Sequence, residues 1–196
     1  MDKPIINIKT KRLIIRSVSA EDRHEYMPLR IEGSEMAFLY EANRDFEEAE
    51  WERELDSPDS IYVSVFLAES MNFVGSGSIQ NFNSDSIELG VDVKKEFRRK
   101  GIATEIISAL LYESHRLFPK AEVRMKMSID NEASRKVAEK CGGTYEGRED
   151  TEFAKIMTKL KAELDAEGIS LEGKDQIERD KAIEEGHDGI CCYRLP

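Results

Sequence analysis

The chain has 196 residues, of which 40% are hydrophobic, 8% aromatic and 35% charged, with a formal net charge of −11. That length suits one domain with a full core, and the hydrophobic share excludes a disordered chain. No apolar run approaches the ~20 residues of a membrane-spanning helix, Met1-Asp2-Lys3-Pro4 opens no signal-peptide core, and the acidic balance argues against a nucleic-acid surface. A cytoplasmic protein without membrane or nucleic-acid partners is therefore expected. Acidity favours a cationic substrate, but it also serves plain solubility, the simpler cause.

Lys11 to Arg16 reads as a first strand. Ser19 then precedes Glu21 and Asp22, a cap followed by acidic residues, which predicts a helix to about Arg30. Phe46 to Leu55 reads as a second helix, closed by the Ser57-Pro58-Asp59-Ser60 cluster. Ile61 to Ala68 is rich in β-branched and aromatic residues and reads as a strand. A short turn at Glu69 to Asn72 leads to another strand up to Asn81, and Ile87 to Val93 makes a third after a polar turn. From Ile102 to about His115 the apolar residues Ile102, Ile106, Ile107, Leu110 and Leu111 keep helical spacing. Ala121 to Ile129 alternates as a strand, Asn131 caps a further helix, and Gly142-Gly143 ends it. Thr144 to Arg148 and Gly189 to Leu195 complete the strands.

Between the last two strands lies a segment, 149–188, with thirteen acidic and six basic residues. Phe153, Ile156, Met157, Leu160 and Leu164 share a helical face there, and Asp175 to Glu178 resembles a capping box. This predicts a helical insertion that packs either on the body or on a second subunit, the latter giving a homodimer. The chain otherwise reads as a single α/β domain from residue 8 to 196, with a mixed, mostly antiparallel, twisted sheet and helices on both faces.

Cys141, Cys191 and Cys192 form no Cys-x-x-Cys pair, and adjacent strand residues face opposite ways, so buried free thiols are expected. His24, His115 and His187 show no metal-ligand spacing. Gly75-Ser76-Gly77 sits inside a strand, where close packing explains it better than phosphate binding. Glu47, Glu48, Glu50, Glu52 and Glu54 read as a solvated helix face.

One junction carries chemistry. Arg98, Arg99, Lys100 and Gly101 stand where a strand gives way to the helix from Ile102. The backbone N–H groups from Arg99 to Ala103 can turn inward there, Gly101 lets the chain approach a ligand, and the helix dipole favours an anion. Thr104 adds a hydroxyl.

Arg98-x-x-Gly101-x-Ala103 resembles the acyl-CoA signature of the GNAT N-acetyltransferases. Glu88 to Val93 precedes it at the right distance, and an amphipathic helix follows. The run from Asn131 to Gly142, with Ser134, Val137, Glu139 and Lys140 in place, resembles the RimJ/RimL-type ribosomal-protein N-terminal acetyltransferases, as do Thr10 to Arg16 and Tyr145 to Arg148. The resemblance implies the GNAT fold, acetyl-CoA as co-substrate without a metal, and an amine acceptor: a protein N-terminal α-amine, or alternatively a polyamine, amino acid or antibiotic. It implies coenzyme contacts from Leu89, Val91, Val93, residues 98–104, Asn131 and Ser134. A strand splay, with a bulge at Gly90, would admit the thioester. Glu88 is the candidate base, with Glu146 second. Ser134 replaces the tyrosine that many relatives use as acid, since Ala138 stands at that position. Tyr40 and Trp51 are candidate acceptor-pocket residues, with core packing as the competing reading. A non-catalytic acyl-CoA-binding module, or a scaffold working through the acidic insertion, remain the rival functions.

Overall fold

The computed structural model describes residues 3–32, 44–149 and 189–196. Tyr40 and the two helices predicted in the acidic segment lie outside them. Among the described residues there are eight strands: β1 (Asn7–Lys9), β2 (Leu13–Ser17), β3 (Ile61–Leu67), β4 (Phe73–Gln80), β5 (Ser86–Val93), β6 (Glu122–Ser128), β7 (Thr144–Glu149) and β8 (Ile190–Arg194). The helices among the described residues are α1 (Arg23–Glu32), α2 (Arg44–Asp56), α3 (Ile102–Leu117) and α4 (Glu132–Lys140). β1 is an addition to the predicted set. Three residues carry too little pattern to read, and pairing with β2 is what makes them a strand. The helix predicted from Ser19 begins instead as a 3-10 turn, Ala20–Asp22, before α1 proper.

The strands form one sheet in the order β1-β2-β3-β4-β5-β6-β8-β7. Every neighbouring pair is antiparallel except β5 with β6. That parallel pair is joined through α3, the crossover such a connection requires. The predicted mixed sheet with helices on both faces is therefore the fold found.

Strand alternation sorts the core into two layers. Val63, Ile79, Ile87, Leu89, Val123 and Met125 are buried with Ile102, Ile106, Ile107 and Leu110 of α3. A Cβ added at Gly77 would lie 2.9 Å from Leu110 Cδ1, so the missing side chain lets α3 lie close to β4. The other layer joins Tyr26, Met27 and Leu29 of α1 to Trp51 of α2 and Phe73 of β4. Trp51 is 4% exposed, with its ring centroid 5.7 Å from that of Tyr26, so its surface is taken up by packing.

Two buried carboxylates, Asp22 and Glu54, meet arginines on the α1–α2 face. Asp22 receives hydrogen bonds from Arg16 (2.6 and 2.8 Å), the Ser19 N–H (2.9 Å) and the Ser64 hydroxyl (2.8 Å). Glu54 does not belong to the solvated helix face predicted for it. It is 2% exposed, and Arg30 links it (2.9 Å) to Asp92 of β5 (3.1 Å). Glu47 and Glu48 pair with Arg23, as surface residues do. Cys191 and Cys192 are free and buried, and Cys141 is free and half-buried.

Candidate active site

The site grows from the one parallel pair. β5 and β6 are in register only at Ser86↔Glu122, Ile87↔Val123 and Glu88↔Arg124. Beyond Glu88, β6 continues beside β8 and β5 continues beside β4, so the two strands part. The splay does not come from a bulge at Gly90. The β4–β5 ladder runs without a shift from Gln80↔Glu88 to Gly75↔Val93. Gly90 has a different cause: a Cβ there would lie 2.6 Å from Ser78 Oγ, which fills its place.

The free edge of β5 can be assigned from one bond. The Lys94 N–H donates to the Val74 carbonyl at 3.0 Å. Antiparallel ladders alternate bonded and non-bonded pairs, so the backbone groups of Leu89, Val91 and Val93 face away from β4, into the opening. The Val93 carbonyl agrees, because it accepts from Arg98 Nε at 2.7 Å. The side chains of Leu89 and Val93 are buried, so only their backbone can meet a ligand.

Since β5 and β6 run parallel, the helices that follow them both start at the open end of the split. Before α3, Arg99 has φ +61° and Gly101 φ +76°. These left-handed residues turn the chain back on itself ahead of the first helical turn. Among the described residues the N–H groups of Arg99 to Ala103 have no hydrogen-bond partner. Open space surrounds Gly101, where a Cβ would meet only Arg12 Nη2 at 3.7 Å. The three basic side chains differ in use. Arg98 turns inward to Val93 and to Glu32 (3.2 Å), Lys100 lies over the Phe97 ring (5.3 Å), and Arg99 makes no ion pair among the described residues. Ile102 is buried, Ala103 is half-buried and Thr104 sits in the first turn. Before α4, the Asn131 side chain accepts from the Ser134 N–H at 3.0 Å, a helix cap as expected. The Ser134 hydroxyl has no partner among the described residues.

Glu88 stands at the branch point, with its carboxylate 3.3 Å from Lys126 Nζ. Lys126 also reaches Glu149 at 3.2 Å. Burial works against the lysine charge, but Glu149 and Glu88 together hold its pKa above the ordinary value. Sequence reasoning missed Lys126, because nothing local shows which β6 residue meets β5. Glu146 lies between Arg124 (3.1 Å) and Arg194 (3.2 Å), so two cations share its carboxylate where one meets that of Glu88. Trp51 is not brought to this cluster. Among the described residues no group of three or more His, Cys, Asp or Glu could hold a metal ion, and no helix is long and apolar enough to cross a membrane.

A sheet split between parallel strands, with two helix N-termini at the opening, makes a cleft suited to an extended, anionic ligand. Residues 12–144 match the model of the acetyltransferase (GNAT) domain, and the chain belongs to that family. It is an acetyl-CoA-dependent N-acetyltransferase. Comparison with curated proteins finds no match. Solved structures share the fold. The spermidine N-acetyltransferase from Vibrio cholerae in complex with CoA and spermine is 15% identical, with 95% of this chain and 96% of that chain covered and a TM-score of 0.64. A Vibrio cholerae protein provisionally named a ribosomal-protein-serine acetyltransferase is 17% identical, with 97% and 98% covered and a TM-score of 0.63.

Proposed function

We propose that this chain acetylates a primary amine at the split between β5 and β6, with Glu88 as the base. The observation that carries the reading is the coincidence of three features at one opening: the free edge of β5, the unbonded N–H groups of residues 99–103, and the Glu88 carboxylate. These residues suit the coenzyme. The N–H groups and Gly101 would hold its pyrophosphate, and Leu89, Val91 and Val93 would pair with the amides of its pantetheine arm by strand addition. Thr104 and Asn131 would add polar contacts. Bound acetyl-CoA supplies an activated acyl group as a thioester. Glu88 accepts the proton that the attacking amine must lose, since a protonated amine has no lone pair. Val91 N–H donates to the oxygen on which negative charge grows. The Ser134 hydroxyl serves the leaving sulfur, the role open to it because no bond ties it elsewhere.

For the acceptor, the first reading is a protein N-terminal α-amine. Its support is the likeness of the Asn131–Gly142 run to the RimJ/RimL subgroup, and the shared fold with the provisionally named ribosomal-protein-serine acetyltransferase. The second is a polyamine, favoured by the fold shared with the spermine-bound enzyme. One assay tests both. The protein is incubated with acetyl-CoA and either peptides with free N-termini or spermidine and spermine, and thiol release is followed. Turnover on peptides alone supports the first reading, and turnover on polyamines alone the second. Coenzyme binding with no turnover on any amine would replace both with an acyl-CoA-binding module.

A further inference from the structure

The turn between β1 and β2 is tightly closed. The Thr10 N–H donates to the Leu13 carbonyl at 2.9 Å, and the Leu13 N–H donates to the Thr10 hydroxyl oxygen at 2.9 Å. This turn reaches the start of α3, about ninety residues further along the chain. There the Arg12 guanidinium spans two partners. Nε and Nη2 both meet Glu105 Oε2 at 2.6 Å, while Nη1 donates to the Lys100 carbonyl at 3.0 Å. The other Glu105 oxygen accepts from the Thr10 hydroxyl at 2.5 Å and the Arg12 N–H at 3.3 Å. Glu105 N–H in turn donates to the Gly101 carbonyl at 3.1 Å. A ring of contacts thus closes from Arg12 through Lys100, Gly101 and Glu105 back to Arg12.

Its effect follows from peptide geometry. A trans peptide is planar, so the carbonyl of Lys100 and the N–H of Gly101 point in opposite directions. Holding the carbonyl toward Arg12 aims the Gly101 N–H away from it. Gly101, at φ +76°, accepts this peptide in either orientation, because it has no side chain to restrict φ. Turned over, it would put a carbonyl oxygen where the loop offers an N–H, and that dipole repels a phosphate. We propose that Arg12, braced by Glu105 and Thr10, is a positioning residue that keeps the Lys100–Gly101 peptide in its anion-receiving orientation. The proposal rests on the reading of residues 98–103 as the coenzyme loop. Arg12 acts here through its hydrogen bond and not its field, since Glu105 neutralises it at contact distance. Burial disfavours the ionised Glu105, yet the bonds from Thr10 and Arg12 outweigh it and hold its pKa below the ordinary value. The carboxylate also offsets the cost of a cation beside a helix N-terminus.

The test is calorimetric titration of coenzyme A into the wild type, Arg12→Met, Glu105→Gln and Gly101→Asp, at low and at high salt, with thermal midpoints recorded. Arg12→Met should weaken binding about tenfold, the worth of one charge-assisted hydrogen bond. Glu105→Gln, which frees the guanidinium, should weaken it in the same direction by less. The ratio of wild-type to variant affinity should survive high salt, because orientation is not screened. A ratio that collapses to one at high salt would make Arg12 a point charge and overturn the proposal. So would wild-type affinity in a folded Arg12→Met, and if that variant does not fold, wild-type affinity in Glu105→Gln would do the same. Gly101→Asp separates the two readings. If it loses the coenzyme while both other variants keep it, the role of Arg12 fails alone. If it binds like the wild type, the loop assignment itself is wrong.

Discussion

Glu88 shows how much one residue depends on its partner. Its carboxylate is held by Lys126, itself shared with Glu149, so the group has a fixed direction at the mouth of the split. Glu88→Gln keeps size and polarity and removes only the capacity to take a proton. The expected result is a fall in kcat of about 10²–10⁴-fold with coenzyme affinity retained. A parallel loss of affinity would make Glu88 a binding residue instead. Asp22 offers a prediction for stability. Burial opposes its charge, but bonds from Arg16, the Ser19 N–H and Ser64, with the Arg16 charge, hold its pKa below the ordinary value. A carboxylate depressed in the folded state contributes fully above its unfolded pKa and loses that contribution as pH falls toward the folded one. Asp22→Asn should therefore cost about 1–3 kcal/mol at neutral pH, and the gap from wild type should narrow only below about pH 4. Denaturant unfolding at several pH values checks this. At this scale the sequence offered candidates for the chemistry, Glu88 and Ser134 among them, but not their partners. Lys126, Arg12 and Glu105 meet their targets through long-range pairing that leaves no local trace.

Elements were more legible than contacts. α3 was readable because a stripe of Ile102, Ile106, Ile107 and Leu110 needs only local periodicity, and all four are buried. The turn before it was readable for the same kind of reason, a glycine and basic residues ahead of a helix. The packing distance of α3 was not. It is set by Gly77 on β4, where a Cβ would stand 2.9 Å from Leu110 Cδ1 and 3.2 Å from the Gly90 carbonyl. Gly77→Val should push α3 off the sheet and cost about 1–3 kcal/mol, read as a lower denaturant midpoint. An unchanged midpoint would show that the helix can yield. Gly90 was misread as a bulge because a glycine within a strand suits either a bulge or a close neighbour. Only the β4 register, with Ser78 opposite, distinguishes them.

At the scale of the molecule, one sheet separates two apolar layers and is shared by both. α3 covers one face, while α1 and α2 cover the other. The single tryptophan, Trp51, lies in the second layer, so its fluorescence reports on that layer alone. Because β3 and β4 serve both layers, the fluorescence transition and the far-ultraviolet circular dichroism transition should coincide on denaturation. An earlier fluorescence transition would mean that the α1–α2 layer melts by itself. The sequence alone determined the fold class, nearly every element, and the donor side of the chemistry. The elements depend on local periodicity, and the donor on the resemblance of the Arg98–Ala103 and Asn131–Gly142 runs to the GNAT family, all carried by residues close together in the chain. Tertiary structure alone decided where the sheet splits, which edge of β5 stays open, that Trp51 and Glu54 are buried, and that Arg12 reaches the turn before α3. Each of these joins residues far apart in sequence, and such pairings are settled by the packing of the whole chain.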